Sequence, residues 1–242
     1  MIQATHTRGA VFHSVLFEHI PSLSHYFSTR DMQQAGAGVW MPKQVHGTNI
    51  VEVDAAMAVD AQTVCVQPVE ADAVITAAEG VWIGVRTADC VPVLAVGPVQ
   101  GVVAAIHAGW RGAVAHIVRQ TLQRMIDAYG CYAEDLQVAV GPSISMESFE
   151  VGEEVAAQFV AEGFECCVYR RQWSTHGAVS FRKPHVDLWR VVVMETEAAG
   201  LSLSHIDCTP FCTFLHPDTF FSARKEGINT GRNVSAIAWK AS

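Results

Sequence analysis

The chain has no excess of positive charge. Its 16 Lys and Arg stand against 24 Asp and Glu, a formal net charge of −8 over 242 residues. That balance excludes a broad electrostatic hold on nucleic acid, although a single cleft can still be cationic. No Gly-x-Gly-x-x-Gly fingerprint and no P-loop occurs, so nothing points to a nucleotide cofactor held in those ways. The first residues, Met1 to Arg8, lack the basic-then-apolar order of a secretory leader. Cys90 to Trp110 carries no formal charge, but Pro92, Gly97, Pro98, Gln100 and Gly101 interrupt it. It reads as two buried strands joined by a turn, not as a membrane span. No C-x-x-C pair is present, which argues against a structural zinc finger. The seven cysteines (65, 90, 131, 166, 167, 208 and 212) are odd in number and irregularly spaced. They read as reduced thiols and point to the cytoplasm, with Cys208 and Cys212 as two buried thiols.

What is present is apolar. Half of the residues are hydrophobic and 17% are charged, enough for a substantial core. There is no internal repeat, low-complexity tract or long linker, so residues 1–242 read as one domain. Strand-like runs occur at Ile50–Val53, Ala73–Thr76, Val81–Val85, Val91–Val96, Val102–His107, Leu136–Val140 and Val234–Trp239. A helix is expected where Val114, Ile117, Val118, Leu122, Met125, Ile126 and Tyr129 share one face, ended by Gly130. Gly152–Glu162 reads as a second helix. A third starts at the N-cap Asp187 and runs to Gly200. Several strands have short connections, which favours an α+β fold with mixed or antiparallel sheets over a doubly wound parallel one.

Three residues stand in unusual settings. They are His46 in Gln44-Val45-His46-Gly47, Cys90 in Thr87-Ala88-Asp89-Cys90, and His107 in His107-Ala108-Gly109-Trp110-Arg111-Gly112. A thiolate with two imidazoles suits zinc with a fourth position open to substrate. If the strands at 91–96 and 102–107 form a hairpin, Cys90 and His107 meet at one sheet edge. Each alone has a blander reading: a buried cysteine, a core histidine, a loop histidine. Asp89, beside Cys90, is placed to orient a ligand or move protons. Arg30, Lys43, Arg111, Arg224 and Arg232 are candidates for an anionic ligand, with Arg111 near a helix N-terminus. The remaining histidines have no comparable context.

These motifs, with Val140-Gly141-Pro142-Ser143-Ile144, Phe149-Glu150-Val151-Gly152, Phe220-Phe221-Ser222-Ala223-Arg224 and Thr230-Gly231-Arg232, occur in an order that resembles the laccase-domain family. That family is also called polyphenol oxidase-type, and some members are described as peptidoglycan editing factors. The resemblance runs from about Phe27 to Trp239. It implies a mixed-sheet sandwich flanked by helices, similar to toxin deamidase-type folds. It implies His46, Cys90 and His107 as metal ligands and Arg30 as the arginine of an N-terminal Ser-Thr-Arg motif. The activity implied is purine nucleoside phosphorolysis of adenosine, inosine or methylthioadenosine, with adenosine deaminase activity. The chain departs from the family between Arg30 and Gln44, where a longer segment is usual and only Asp31 to Lys43 remains. That segment would help to wall the pocket.

The expectation is a zinc-dependent purine nucleoside phosphorylase, monomeric, taking a nucleoside and phosphate. Asp89 and Arg30 are its catalytic candidates, and Arg30, Arg111 and Arg224 its phosphate ligands. Three alternatives use the same residues. In a cysteine amidase of peptidoglycan precursors, Cys90 is the nucleophile and His107 the base. A copper polyphenol oxidase would use the same donor set, though a multi-copper cluster needs more histidines. The third alternative is a non-catalytic binding protein.

Overall fold

Two mixed β-sheets, packed face to face, take up most of the apolar runs. The computed structural model describes residues 3–5, 11–32, 34–170, 174–175, 178–179, 183–208 and 211–240; His6 and His176 lie outside them. In chain order the strands are β1 (Gln3–Thr5), β2 (Val11–His13), β3 (Leu23–Ser28), β4 (Val39–Lys43), β5 (Ile50–Glu52), β6 (Val66–Glu70), β7 (Ala73–Thr76), β8 (Trp82–Thr87), β9 (Val91–Gly97), β10 (Val102–Ala108), β11 (Gln137–Val140), β12 (Val168–Arg170), β13 (Ser174–Thr175), β14 (Ala178–Val179), β15 (Pro184–Val186), β16 (Ile206–Cys208) and β17 (Asn233–Trp239). One sheet has seven strands in the order β1-β2-β3-β17-β8-β4-β6, and the other six in the order β16-β11-β9-β10-β7-β5. Short pairs β12–β15 and β13–β14 stand apart.

Burial on both faces explains why β9 and β10 are apolar but for His107. On β10, Val102, Ala104, Ile106 and Ala108 face the helices, while Val103 and Ala105 face the seven-stranded sheet. On β9, Val91, Val93 and Ala95 take the first side and Leu94 and Val96 the second. Every residue of both strands is buried. Each Val, Leu or Ile side chain so placed contributes roughly 1.5–3 kcal/mol relative to exposure.

The helices are α1 (Val15–Glu18), α2 (Trp110–Val114), α3 (Ile117–Tyr129), α4 (Glu153–Ala161), α5 (Leu188–Ala198) and α6 (Ala223–Glu226). The apolar face beginning at Val114 is therefore split. Val114 ends α2, and α3 starts after His116, whose φ of +63° breaks the helix. The break is held by tertiary contacts: His116 Nδ1 lies 2.6 Å from Glu195 on α5 and Nε2 3.3 Å from Glu162. Gly130 ends α3 at φ +70°, a left-handed cap that glycine adopts without strain. Asp187 caps α5 by accepting the N–H of Arg190, and α5 ends at Ala198, two residues before the expected Gly200.

Sequence pattern alone passed over β3, β4 and β6. Their residues, Leu-Ser-His-Tyr-Phe-Ser, Val-Trp-Met-Pro-Lys and Val-Gln-Pro-Val-Glu, carry polar residues or a proline within the run. Cys212 is buried as expected, but Cys208 is only half-buried. Among the described residues, no helix is long and apolar enough to cross a membrane.

Candidate metal centre

β9 and β10 do form an antiparallel hairpin, with Val91 opposite Ala108 and Pro92 opposite His107. Cys90 immediately precedes β9, so the pairing register delivers its thiol to His107. The third member comes from the other sheet. After β4 the chain continues through Gln44, whose amide bridges to β8: its Oε1 accepts the N–H of Arg86 and its Nε2 donates to the Arg86 carbonyl, both at 2.8 Å. The next residues turn, with His46 at φ +62°. Ligand atoms of His46, Cys90 and His107 all lie within 4.8 Å of one another and can hold a metal ion.

Asp72, fully buried just before β7, organises the set. Its Oδ1 accepts the His46 N–H at 2.9 Å and contacts His107 Nδ1 at 2.8 Å; its Oδ2 accepts the N–H groups of Gly47 at 2.7 Å and Val45 at 3.2 Å. One carboxylate thus fixes the turn that carries His46 and the ring of His107. Because a carboxylate only accepts, the His107 proton sits on Nδ1, and Nε2 is left for a ligand. The two imidazoles meet edge to face, with centroids 4.9 Å apart. Gly109 leaves room for them: a Cβ there would lie 3.1 Å from His46 Cδ2 and 3.2 Å from Cys90 Sγ.

The electrostatics follow from this packing. Burial opposes ionisation of Cys90, but the charges and hydrogen bonds of His107 and His46 outweigh it and bring the thiol down to about 6. Burial likewise opposes a charged His107, and the Cys90 thiolate and Asp72 lift it to about 9. Asp72 is pushed up by burial, yet its bonds to His107 and the turn hold its carboxyl below the ordinary value.

The three donors line a cavity of about 230 Å³, whose walls include Lys43, Gln44, Val66, Arg86, Ile228 and Arg232. The short Asp31–Lys43 segment therefore contributes its last residue to the wall. The volume is at the small end for a small-molecule site. A larger groove of about 480 Å³ lies beside β2 and β3, lined by His13, Phe17 and His25. Burial pulls His25 down to about 3, and its Nε2 accepts the Ser14 N–H at 2.8 Å.

Of the expected anion ligands, Arg232 and Lys43 line the cleft. Arg30, Arg111 and Arg224 do not. Arg30 pairs with Glu226 at 2.8 Å and lies over Phe221. Arg111 lies over Trp110, and Arg224 donates to the Glu150 carbonyl at 2.9 Å. Asp89 also turns away from the cavity. With φ at +91°, it accepts from the Thr213 hydroxyl at 2.7 Å and the Arg224 N–H at 2.6 Å. Its carboxylate braces the loops behind Cys90. Sequence reasoning missed Asp72 and Arg86. Both carried a signal: a carboxylate at the head of an apolar strand, and a lone cation within one.

Residues 25–240 match the model of the family described as multi-copper polyphenol oxidoreductase laccase. The chain belongs to that family. Among the chain's curated relatives, a purine nucleoside phosphorylase of Bacteroides thetaiotaomicron is 41% identical over 207 residues, covering 85% of this chain and 75% of the relative. An adenosine deaminase, RL5, of an unknown prokaryotic organism is 36% identical over 201 residues, 81% of this chain and 73% of that one. The crystal structure of the Bacillus licheniformis hypothetical protein YfiH has the same fold, with a TM-score of 0.82 over 97% of both chains at 19% identity. YlmD from Geobacillus stearothermophilus gives 0.81 over 99% of both at 21% identity. The laccase-type fold here is thus the α+β arrangement of mixed sheets that the motifs implied.

Proposed function

We propose that this chain is a zinc-dependent purine nucleoside phosphorylase, converting adenosine, inosine or methylthioadenosine and phosphate to the free base and ribose 1-phosphate. The observation that carries the reading is the His46, Cys90 and His107 donor set, gathered within 4.8 Å and opening on a cleft. The chain's relatives named purine nucleoside phosphorylase support the substrate class. One soft thiolate and two imidazoles fit zinc with one position free, and the carboxylate behind His107 is a usual companion of such a histidine. Zinc bound there would supply a Lewis acid and a fixed positive charge in the cleft.

The chain's own residues do the positioning. Asp72 holds the backbone turn that carries His46 and the ring of His107, so His107 presents Nε2 without rearrangement. In phosphorolysis, a phosphate oxygen bonds to C1′ as the C1′–N bond breaks. The bonding pair leaves with the base, which takes up a proton. Cationic groups that hold phosphate beside C1′ turn a bimolecular encounter into an oriented one. Arg30 and Arg224 serve instead to brace the surrounding loops, as does Asp89, and Arg111 lies over Trp110. The name of the second relative supports adenosine deamination at the same site.

One further reading has a specific observation behind it. Cys90, His107 and Asp72 stand in the order of a nucleophile, base and orienting carboxylate, which suits a cysteine amidase. A multi-copper oxidase needs further ligand clusters, and among the described residues this is the only group of three or more His, Cys, Asp or Glu side chains suited to a metal. The deciding experiment is elemental analysis of purified protein, with adenosine and phosphate turnover measured before and after chelation. Near-stoichiometric zinc, and ribose 1-phosphate formation lost on chelation and restored by zinc, are expected. Turnover that survives chelation but is abolished by alkylation of Cys90 would overturn the zinc dependence in favour of Cys90 as nucleophile, and no phosphorolysis by the zinc form would overturn the phosphorylase reading.

A further inference from the structure

We propose that Arg86 and Arg232 form a two-guanidinium subsite that holds inorganic phosphate against the donor set. The proposal rests on the phosphorolysis reading and names the residues that recognise its anionic substrate.

Both side chains line the same cavity as His46, Cys90 and His107. They reach it from adjacent strands: Arg86 is on β8 opposite Val234 of β17, and Arg232 lies just before β17. Three other arginines pair with a carboxylate, Arg30 with Glu226, Arg124 with Glu52 and Arg170 with Glu153, whereas Arg111, Arg190 and Arg224 rest on a ring, a phenol and a carbonyl. Among the described residues, Arg86 and Arg232 have no carboxylate partner. Nε of Arg86 is buried and makes no hydrogen bond. Burial, and secondarily the charge of Arg232, weaken the proton affinity of Arg86. Two cations held together at a half-buried surface repel each other and lose hydration, and an anion between them removes both penalties.

Arg232 is already oriented for this. Its Nη1 donates to the Thr230 and Gly231 carbonyls and its Nη2 to the Ile228 carbonyl, the last two at 2.9 Å. Those bonds fix the plane of the guanidinium and leave other N–H groups unused. Guanidinium forks match phosphate oxygens two at a time. Lys43, the third cation on the wall, is held by Glu70 at 2.7 Å and is not assigned to the subsite. Inorganic phosphate is the chosen ligand because phosphorolysis needs a free oxyanion near C1′. The 5′-phosphate of a nucleotide offers the same chemistry, so the test separates the two.

The test uses full-length protein and two variants, Arg86→Gln and Arg232→Lys. Arg86→Gln is the cleaner, because among the described residues no hydrogen bond of the Arg86 side chain holds a loop. Binding of inorganic phosphate and of adenosine 5′-monophosphate is measured by calorimetry on metal-free protein, and steady-state kinetics on the zinc form. Loss of a charge-assisted contact predicts a phosphate KM raised at least ~10-fold in each variant. Zinc content and the melting temperature should stay close to those of the wild type. A purely structural role would move all of these together. Unchanged phosphate binding and KM in both variants would overturn the subsite while leaving phosphorolysis standing. Phosphate binding lost in the variants, with no phosphorolysis by the wild type, would keep the subsite and sink the reaction. A loss confined to adenosine 5′-monophosphate, with inorganic phosphate unaffected, would overturn the choice of ligand.

Discussion

Asp72→Asn is the sharpest perturbation of this site, because it exchanges one carboxylate oxygen for an NH2 at nearly constant volume. The carboxylate accepts four N–H groups, two on each oxygen. Asparagine replaces one oxygen with an NH2. Whichever way the amide faces, that NH2 meets two N–H donors, so two charge-assisted bonds become clashes. Breaking a buried pair of this kind costs about 3–5 kcal/mol. In a chain of this size each kcal/mol corresponds to roughly 2–4 °C, so the melting temperature should fall by about 6–20 °C. Zinc affinity should fall about 10–100-fold, the usual cost of losing the partner of a ligating histidine. Thermal melts followed by circular dichroism give the first number, and competition with a chromophoric chelator at low temperature gives the second. The pH dependence adds a third check. A carboxyl held below its ordinary value near 3.8 stabilises the fold above that pH. The stabilisation is lost as pH falls through the lower folded value. Metal-free wild type should therefore lose stability on acidification below about 4, and Asp72→Asn should lose less. Equal melting temperature and equal zinc affinity in the variant would refute the view that Asp72 organises the centre.

Other outcomes follow from the same geometry. Gly109→Ala should fold normally, because its φ of −69° suits alanine, but bind zinc more weakly, as its Cβ would crowd His46 and Cys90; a metal titration against the wild type decides. In metal-free protein the Cys90 thiolate should react with iodoacetamide with a pH midpoint near 6, and zinc should protect it; a midpoint near 9 would refute the pairing with His107. His116→Ala should cost about 1–3 kcal/mol in denaturant melts, because the buried Glu195 loses the imidazole bonded to it. His116→Gly should cost less, since glycine relieves the positive φ; a larger loss for glycine would refute the strain argument.

Much of the site was legible in the chain. The β9–β10 hairpin was readable because two charge-free runs flank a Gly-Pro-x-x-Gly turn, and antiparallel pairing then forces Cys90 beside His107. His46 was readable only through its motif, since no local pattern says that the turn after β4 closes on the opposite sheet. Asp72 was missed for a related reason: its meaning comes from four donors contributed by two distant segments, and its neighbours in sequence are a strand and a loop. The arginines show the converse error. Arg111 sits in a motif beside His107, yet its side chain folds onto Trp110, while Arg86 and Arg232 become neighbours through the β8–β17 pairing.

Local pattern was enough for the strands buried on both faces, the helix ends at Gly130 and Asp187, and the donor types of the candidate metal centre. These depend on periodicity, backbone freedom and side-chain chemistry, all of which act over a few residues. Tertiary structure alone decided which sheet each strand joined, that α2 and α3 break at His116, and which cations face the cleft. Those outcomes depend on contacts between residues far apart in the chain, such as Glu195 with His116 and Glu226 with Arg30, and local physics leaves them open.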